Sequence, residues 1–558
     1  MHNFTNGGNC RWKRSAAALV CILLLQAWSG GGFMQLIKPV SGQGSWALLL
    51  ENAGIASMHT AVTHYGTAVF LDRTDIGLSQ INLPNGVCRN DPNDITLKHD
   101  CSAHSVEFYP ATNTVRPLLI LTDTWCSSGQ FDANGVLVQT GGDMDGLHKI
   151  RRFAPCPQSV GTCDWVEDET ANLTEPRWYA TNQLLPDGLS QIVVGGRFAR
   201  NYEFVPAAPG GGYTMLDLLV QTTDSEFDNL YPYVHLLPSG LLFIFAYNQS
   251  IVYDYTTQTT VATMPILPGG PRNYPSAGSS VMLPLQSADG YTSAEIVVCG
   301  GAELGAYLNP TAQFPATDSC GRIVVTDPIP TWALETMPTP RLMGDMLLLP
   351  DLTTLIINGA QKGSQGWGEA SDPCLSPWNY DPNAVAGSRF SIWSATTIPR
   401  VYHSTANLLP DGRILIAGSN SHQFYTFTGP FPTELRVEAF SPPYLDVAND
   451  ANRPTITIAP TTLSYGSAFS VIFTLPTPPA GIVNLVMNSA PFSTHSFSQG
   501  QRQLVLANAG PPVPLLGNSY NITGTAPPTG EVAPAAYYML FVVNGGIPST
   551  AAWVQMTR

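Results

Sequence analysis

The chain has 558 residues, too many for one ordinary core, so two domains or one large repeat array is expected. Charged residues make up only 12%, while Gly and Pro number 50 and 47, which argues against long amphipathic helices and for short strands joined by tight turns. The formal net charge of −15 argues against nucleic acid and anionic membrane surfaces as partners, both of which recruit cationic side chains.

The first element reads as a secretory signal. Arg11, Lys13 and Arg14 precede an apolar run from Ala16 to Leu25, followed by small residues from Ser29 to Gly32. The run is too short to span a bilayer, which favours a cleaved peptide over the alternative, a type II membrane anchor. Residues 1–43 are assigned to signal peptide and short leader, with the mature chain beginning between Gly30 and Gly44. A secreted protein of the extracellular space or cell wall is expected, without a membrane anchor after cleavage. Cys10 and Cys21 leave with the signal. Cys88 with Cys101, Cys156 with Cys163 and Cys299 with Cys320 form close pairs that suit an oxidising compartment, although spacing leaves connectivity open. Cys126 and Cys374 are left over. Sequons at Asn172, Asn248 and Asn521 fit a glycoprotein.

From residue 44 to 440 an internal repeat runs through the chain. LLPDGLSQIVVGG starts at Leu184, LLPSGLLFIFAYN at Leu236, LLPDLTTLIINGA at Leu348 and LLPDGRILIAGSN at Leu408. Looser copies start at Val62, Phe131 and Val281. Each is an apolar stretch, a Pro/Asp/Gly turn and a β-branched run, the pattern of a hairpin. About seven copies at a spacing of roughly 45–65 residues, near the kelch period, favour a β-propeller over two packed sheets. A Pro- and Asn-rich linker from Ser441 to Pro454 opens the remainder, 441–558, where short strands such as FSVIFTL, IVNLVMN and YYMLFVVN predict an immunoglobulin-like β-sandwich.

Four segments carry candidate chemistry: Cys126 in TDTWCSSG, Tyr179 in EPRWYAT, Tyr402-His403 in RVYHSTANLLPDGR, and His495 in STHSFSQGQR. Two phenols, two imidazoles and a thiol suit a cupric ion held by nitrogen and oxygen. Singly, each has a plainer reading. Cys126 reads as a buried thiol or a partner for Cys374, Tyr179 as a blade-packing aromatic beside Trp178, Tyr402-His403 as packing, and His495 as a surface histidine. Neighbours in a strand point to opposite faces, so Tyr402 and His403 can reach one ion only from a strand end or loop.

Together and in this order, the four segments resemble those of the copper radical oxidases, the family of galactose oxidase and glyoxal oxidase, from about Trp46 to the C-terminus. The resemblance implies a seven-bladed propeller followed by the sandwich, with His495 reaching the propeller axis from the latter. It implies one copper ion held by Tyr179, Tyr402, His403 and His495, and a thioether from Cys126 to the Tyr179 ring that stores one oxidising equivalent. Tyr402 would take the substrate proton and Tyr179 a hydrogen atom from the substrate carbon, with dioxygen leaving as hydrogen peroxide. Galactose oxidase stacks a tryptophan over the cross-linked tyrosine; here Gly195-Gly196 is followed by Arg197-Phe198, which points to the glyoxal oxidase side. The expected reaction is oxidation of small aldehydes to carboxylic acids by a monomer, with Arg272, His59 and Phe198 as substrate contacts and cell-wall carbohydrate as a further partner. Oxidation of a primary alcohol or wall galactose is the alternative, and a non-catalytic kelch propeller binding glycans or proteins is the second.

Overall fold

The structure, a computed structural model, describes residues 43–557 apart from residue 480. The expected signal peptide, the residues of the leader up to 42, and Cys10 and Cys21 lie outside the described residues.

Among the described residues, seven four-stranded antiparallel units succeed one another along the chain. Every repeat found in the sequence is the innermost hairpin of one unit. His59–Val62 pairs with Ala68–Leu71 in blade 1, and Ser128–Phe131 with Leu137–Thr140 in blade 2. Thr181–Leu184 pairs with Gln191–Val194 in blade 3, and Tyr233–Leu236 with Leu242–Ala246 in blade 4. Ser279–Met282 pairs with Glu295–Cys299 in blade 5, Asp345–Leu348 with Thr354–Ile357 in blade 6, and Thr405–Leu408 with Ile414–Ala417 in blade 7. The innermost strands are fully buried, yet they carry polar side chains such as His59, Gln130, Asn182 and His235, so they show neither strict alternation nor a continuous apolar run. Ser45–Leu50 supplies the outer strand of blade 7 by pairing with Val437–Ser441, so the two ends of the propeller sequence share a sheet and no open edge remains between them.

Two sheets form the C-terminal sandwich. One has Val483–Ser489 and Tyr537–Asn544 at its centre; the other is built on Ala468–Thr474 and Ser519–Thr525. The sandwich is welded to the propeller: Leu285–Gln286, from the blade 5 connection, pairs in parallel with Gln503–Val505. One continuous core runs from Phe243, Phe245 and Ile296 of the blades into Val471, Leu485 and Leu540 of the sandwich. A hairpin of the sandwich, Phe492–Thr494 and Phe497–Gln499, leaves its own sheets and adds to the innermost strand of blade 1, with His59 opposite Thr494 and Ala61 opposite Phe492. Cys88–Cys101, Cys156–Cys163 and Cys299–Cys320 are disulfides; Cys126 and Cys374 are buried and unbridged.

Buried arginines brace individual blades from within. Pro-Arg occurs before the inner strands of blades 3, 5, 6 and 7, giving Arg177, Arg272, Arg341 and Arg400. Each guanidinium donates to the carbonyl that ends the second strand of its own blade: Gly195 O at 2.8 Å, Gly300 O at 2.8 Å, Asn358 O at 2.7 Å, and Gly418 O. These four acceptor residues all have positive φ, between 64 and 75°. Arg272 is therefore a blade residue, fully buried with its fork on Gly300 O and Ser319, which replaces the substrate contact expected from its loop sequence.

Two stability effects follow. Arg400 pairs with Glu438 at 2.8 Å with both side chains buried, so Arg400→Ala, which strands the carboxylate, should cost about 3–5 kcal/mol in urea unfolding. In blade 6, burial raises the Asp345 carboxyl to about 7. The folded state then binds a proton that the unfolded state releases near pH 4, so stability should fall as pH rises from about 4 to 7 and level off above. Asp345→Asn should flatten that slope, measured as unfolding midpoint against pH.

Candidate metal centre

The candidate side chains meet at one end of the propeller axis because one backbone geometry recurs around it. The residue two before the innermost strand is Cys126 in blade 2, Tyr179 in blade 3, Tyr231 in blade 4, Ala277 in blade 5, Met343 in blade 6 and His403 in blade 7. All six have positive φ, from 47 to 68°. None is glycine, and a left-handed conformation at Tyr, Met or His costs free energy that the surrounding packing must offset. The ring is stitched by its own backbone: Tyr179 N donates to Cys126 O and Tyr231 N to Tyr179 O, both at 2.9 Å.

His495 arrives from the sandwich. His495 and Ser496 form the two-residue turn of the inserted hairpin, with φ of 47° and 66°, the geometry that normally selects Asn-Gly. A histidine there is a local compromise, and it leaves the ring 4% exposed on the axis. Its Nδ1 meets Thr494 Oγ1 at 2.6 Å; the same hydroxyl meets His59 Nδ1 at 2.7 Å, and His59 Nε2 meets Thr124 O at 3.0 Å. His59 is thus a satisfied interior histidine, held to about 3 chiefly by burial, which orients the hairpin rather than facing the cavity.

Around His495 Nε2 stand the other donors. Cys126 Sγ is 3.1 Å away, and the ligand atoms of Cys126, His403 and His495 lie within 4.8 Å of one another. The His403 ring lies 4.8 Å from that of His495, and 3.8 Å from its neighbour Tyr402, on which it stacks. Both His403 ring nitrogens are buried without a hydrogen-bond partner. Orphaned buried nitrogens are costly unless something binds them. Burial drives both imidazoles well below their usual pKa, leaving the neutral form that ligates metal. Burial likewise pushes the Cys126 thiol and the Tyr179 and Tyr402 phenols well above their usual ranges, and for Tyr179 the thiol of Cys126 adds to it. A cation among them would reverse that direction. The residues therefore fit a nitrogen- and oxygen-coordinated divalent metal of the cupric type.

Sequence reasoning overlooked Tyr274. Its hydroxyl lies 3.0 Å from Tyr179 Oη and 3.1 Å from Tyr402 Oη, and its ring stacks on Tyr179 at 4.3 Å and 28°. The signal was present as Pro-Arg-x-Tyr, which occurs at Tyr179, Tyr274 and Tyr402, with Met343 in the fourth copy. Tyr274 thus covers one face of the Tyr179 ring, and Trp178 lies at 4.8 Å from it. Phe198 is 53% exposed and only approaches Trp178, at 6.3 Å.

A cavity of about 190 Å³ opens beside these phenols. Tyr179, Tyr274 and Tyr402 form part of its wall, with Trp125, Trp178 and Trp367 around them and Arg197 and Glu369 as its charged residues. The Arg197 guanidinium lies 4.8 Å over Phe227 and 5.4 Å over Trp178. Trp367 stacks on Trp125, and Arg73 lies over both rings. The hairpin carrying Trp367 and Glu369, Ala360–Gly363 with Ala370–Pro373, is an insertion between the second and third strands of blade 6 that no repeat announces.

Comparison with known proteins agrees with this architecture. The family model described as glyoxal oxidase N-terminus matches residues 58–444, and that of the galactose oxidase-like Early set domain matches 453–556. An aldehyde oxidase of Vitis pseudoreticulata is 56% identical over 92% of this chain and 97% of its own. One from Arabidopsis thaliana is 41% identical over 92% and 84%. The solved structure of a fungal alcohol oxidase of the AA5 family, in complex with copper, superposes with a TM-score of 0.68 over 93% of this chain and 100% of that one, at 19% identity. With the propeller model spanning most of the chain and the terminal domain matched behind it, this chain belongs to the glyoxal oxidase family.

Proposed function

We propose that the chain is a secreted copper radical oxidase that converts small aldehydes, as their hydrates, to carboxylic acids. In the overall reaction the hydrate loses two hydrogens to dioxygen, giving acid and hydrogen peroxide. The observation that carries the reading is the pair of neutral imidazoles, His403 and His495, converging with Cys126 and three phenols at the mouth of an aromatic cavity, with both His403 nitrogens unpartnered. The names of the plant relatives supply the substrate class.

Tyr179, Tyr402, His403 and His495 would hold the copper, which when bound supplies a Lewis acid for the substrate oxygen and a one-electron acceptor. The protein's own part follows from its geometry. Tyr402 Oη is the base for the substrate hydroxyl, and its hydrogen-bonded neighbour Tyr274 links it to Tyr179 Oη. Tyr179 Oη takes the hydrogen atom from the substrate carbon. A thioether between Cys126 Sγ and the Tyr179 ring, formed with loss of one hydrogen from each, makes that phenol easier to oxidise. Trp125, Trp178 and Trp367 keep bulk water from the phenols. Every donor comes from one chain, which supports action as a monomer. The three disulfides support export, and no helix among the described residues is long and apolar enough to cross a membrane. Asn172 is exposed, as a glycan would require.

Two experiments test this. After copper loading in air, the peptides bearing Cys126 and Tyr179 should be recovered as one species two hydrogens lighter than their sum. Cys126→Ser should abolish both the linked species and peroxide release while leaving the unfolding midpoint in place; full turnover in this variant refutes the radical site. Separately, His403→Ala or His495→Ala should weaken Cu(II) binding to the metal-free protein by at least about 10–100-fold, the scale at which even loss of an outer-sphere partner is felt. Unchanged affinity in both titrations would place the ion elsewhere.

A further inference from the structure

The cavity beside the phenols contains one carboxylate that the reaction above does not use. Glu369 lines it, and among the described lining residues it is the only acid. Its Oε2 is buried and accepts no hydrogen bond. Burial alone raises its carboxyl to about 7, with no opposing hydrogen bond or charge. Its backbone, by contrast, is fixed. Its carbonyl accepts from Gln313 Nε2 at 3.0 Å and from Ser364 N at 3.3 Å. A Cβ at Gly366 would come within 2.3 Å of Oε2, so glycine there makes room for the carboxylate. Trp367, two residues before it, is clamped on Trp125 at 5.4 Å. An unpaired acid on a rigid hairpin is a cost to the fold that a ligand can offset.

The remaining wall shows what that ligand must offer. Arg197 and the indoles of Trp125 and Trp178 can only donate, and the Trp125 and Trp178 Nε1 atoms are themselves buried without partners. The hydroxyl of Tyr274 already bonds both Tyr179 and Tyr402. A hydrated aldehyde has two hydroxyls on one carbon; a primary alcohol has one. When the first is engaged at Tyr402, the second needs an acceptor; Glu369 is the one carboxyl among the described lining residues, beside the neutral hydroxyl of Tyr307.

We propose that Glu369 is the specificity-determining residue of this site: its carboxylate accepts a hydrogen bond from the second hydroxyl of a hydrated aldehyde and so selects hydrates over primary alcohols. This rests on the oxidase reading for the reaction, but the pocket chemistry can be tested without it. An alcohol would leave the buried Oε2 unpaired, the situation in which a binding site rejects an analogue lacking one polar group. Where Glu369 is ionised, above about pH 7, the same group repels the carboxylate product.

The test compares wild type with Glu369→Gln and Glu369→Ala. In the copper-free protein, glyoxal hydrate is titrated against the fluorescence of the cavity tryptophans; loss of one hydrogen bond to a charged acceptor should raise Kd by about tenfold or more in both variants. In copper-loaded protein, the ratio of kcat/KM for propanal hydrate to that for 1-propanol should fall by at least about tenfold, mainly through KM for the aldehyde. Acetate should inhibit Glu369→Gln more tightly than wild type. The linked Cys126–Tyr179 peptide should form equally in all three proteins. Unchanged Kd, an unchanged ratio, or loss of the linked peptide in the variants overturns the assignment. Glyoxal binding that depends on Glu369 in a wild type without turnover would instead sustain the assignment and refute the oxidase reading.

Discussion

The structure turns on one insertion: a sandwich hairpin that leaves its own sheets to pair with the innermost strand of blade 1. That pairing fixes the position of His495 along the axis, because backbone register leaves it no freedom to slide. Thr494 then shares its hydroxyl between His59 and His495, locking the ring whose Nε2 faces Cys126 Sγ. The propeller brings Cys126, Tyr179 and His403 together from its own strand ends. His495 joins them only through this guest strand.

The second constraint is repetition. Six blades present a residue at the same left-handed position on the axis, and evolution can load that ring with any side chain without changing the scaffold. Here Cys126, Tyr179 and His403 occupy three of those positions, while Tyr231, Ala277 and Met343 fill the rest with packing groups. The strain is borne locally and offset by the buried arginine forks behind it, which satisfy the carbonyls at the ends of the second strands.

Legibility in the sequence followed the range of the interactions. The seven hairpins could be read because their turns are local: LLPDG and its variants specify strand, turn and strand within a dozen residues. Cys126, Tyr179, Tyr402, His403 and His495 could be singled out because their segments resemble a family, and the structure gathers them. Burial could not be read. Arg272 in GGPRNYP has the composition of a solvated loop, yet its guanidinium is enclosed by backbone carbonyls, and the residue of that segment that reaches the site is Tyr274. The hairpin with Trp367 and Glu369 has no turn signature of the repeat type, so the cavity wall it forms was invisible until the chain was folded.

The inserted hairpin has a consequence for the order of events in synthesis. His495 lies in the last eighth of the chain, and the propeller itself closes only when Val437–Ser441 returns to Ser45–Leu50. A nascent or truncated chain that ends before His495 can hold at most part of this cluster. Placing His495 on the C-terminal sandwich means that the cluster with Cys126 and His403 exists only in a chain whose two domains have both folded.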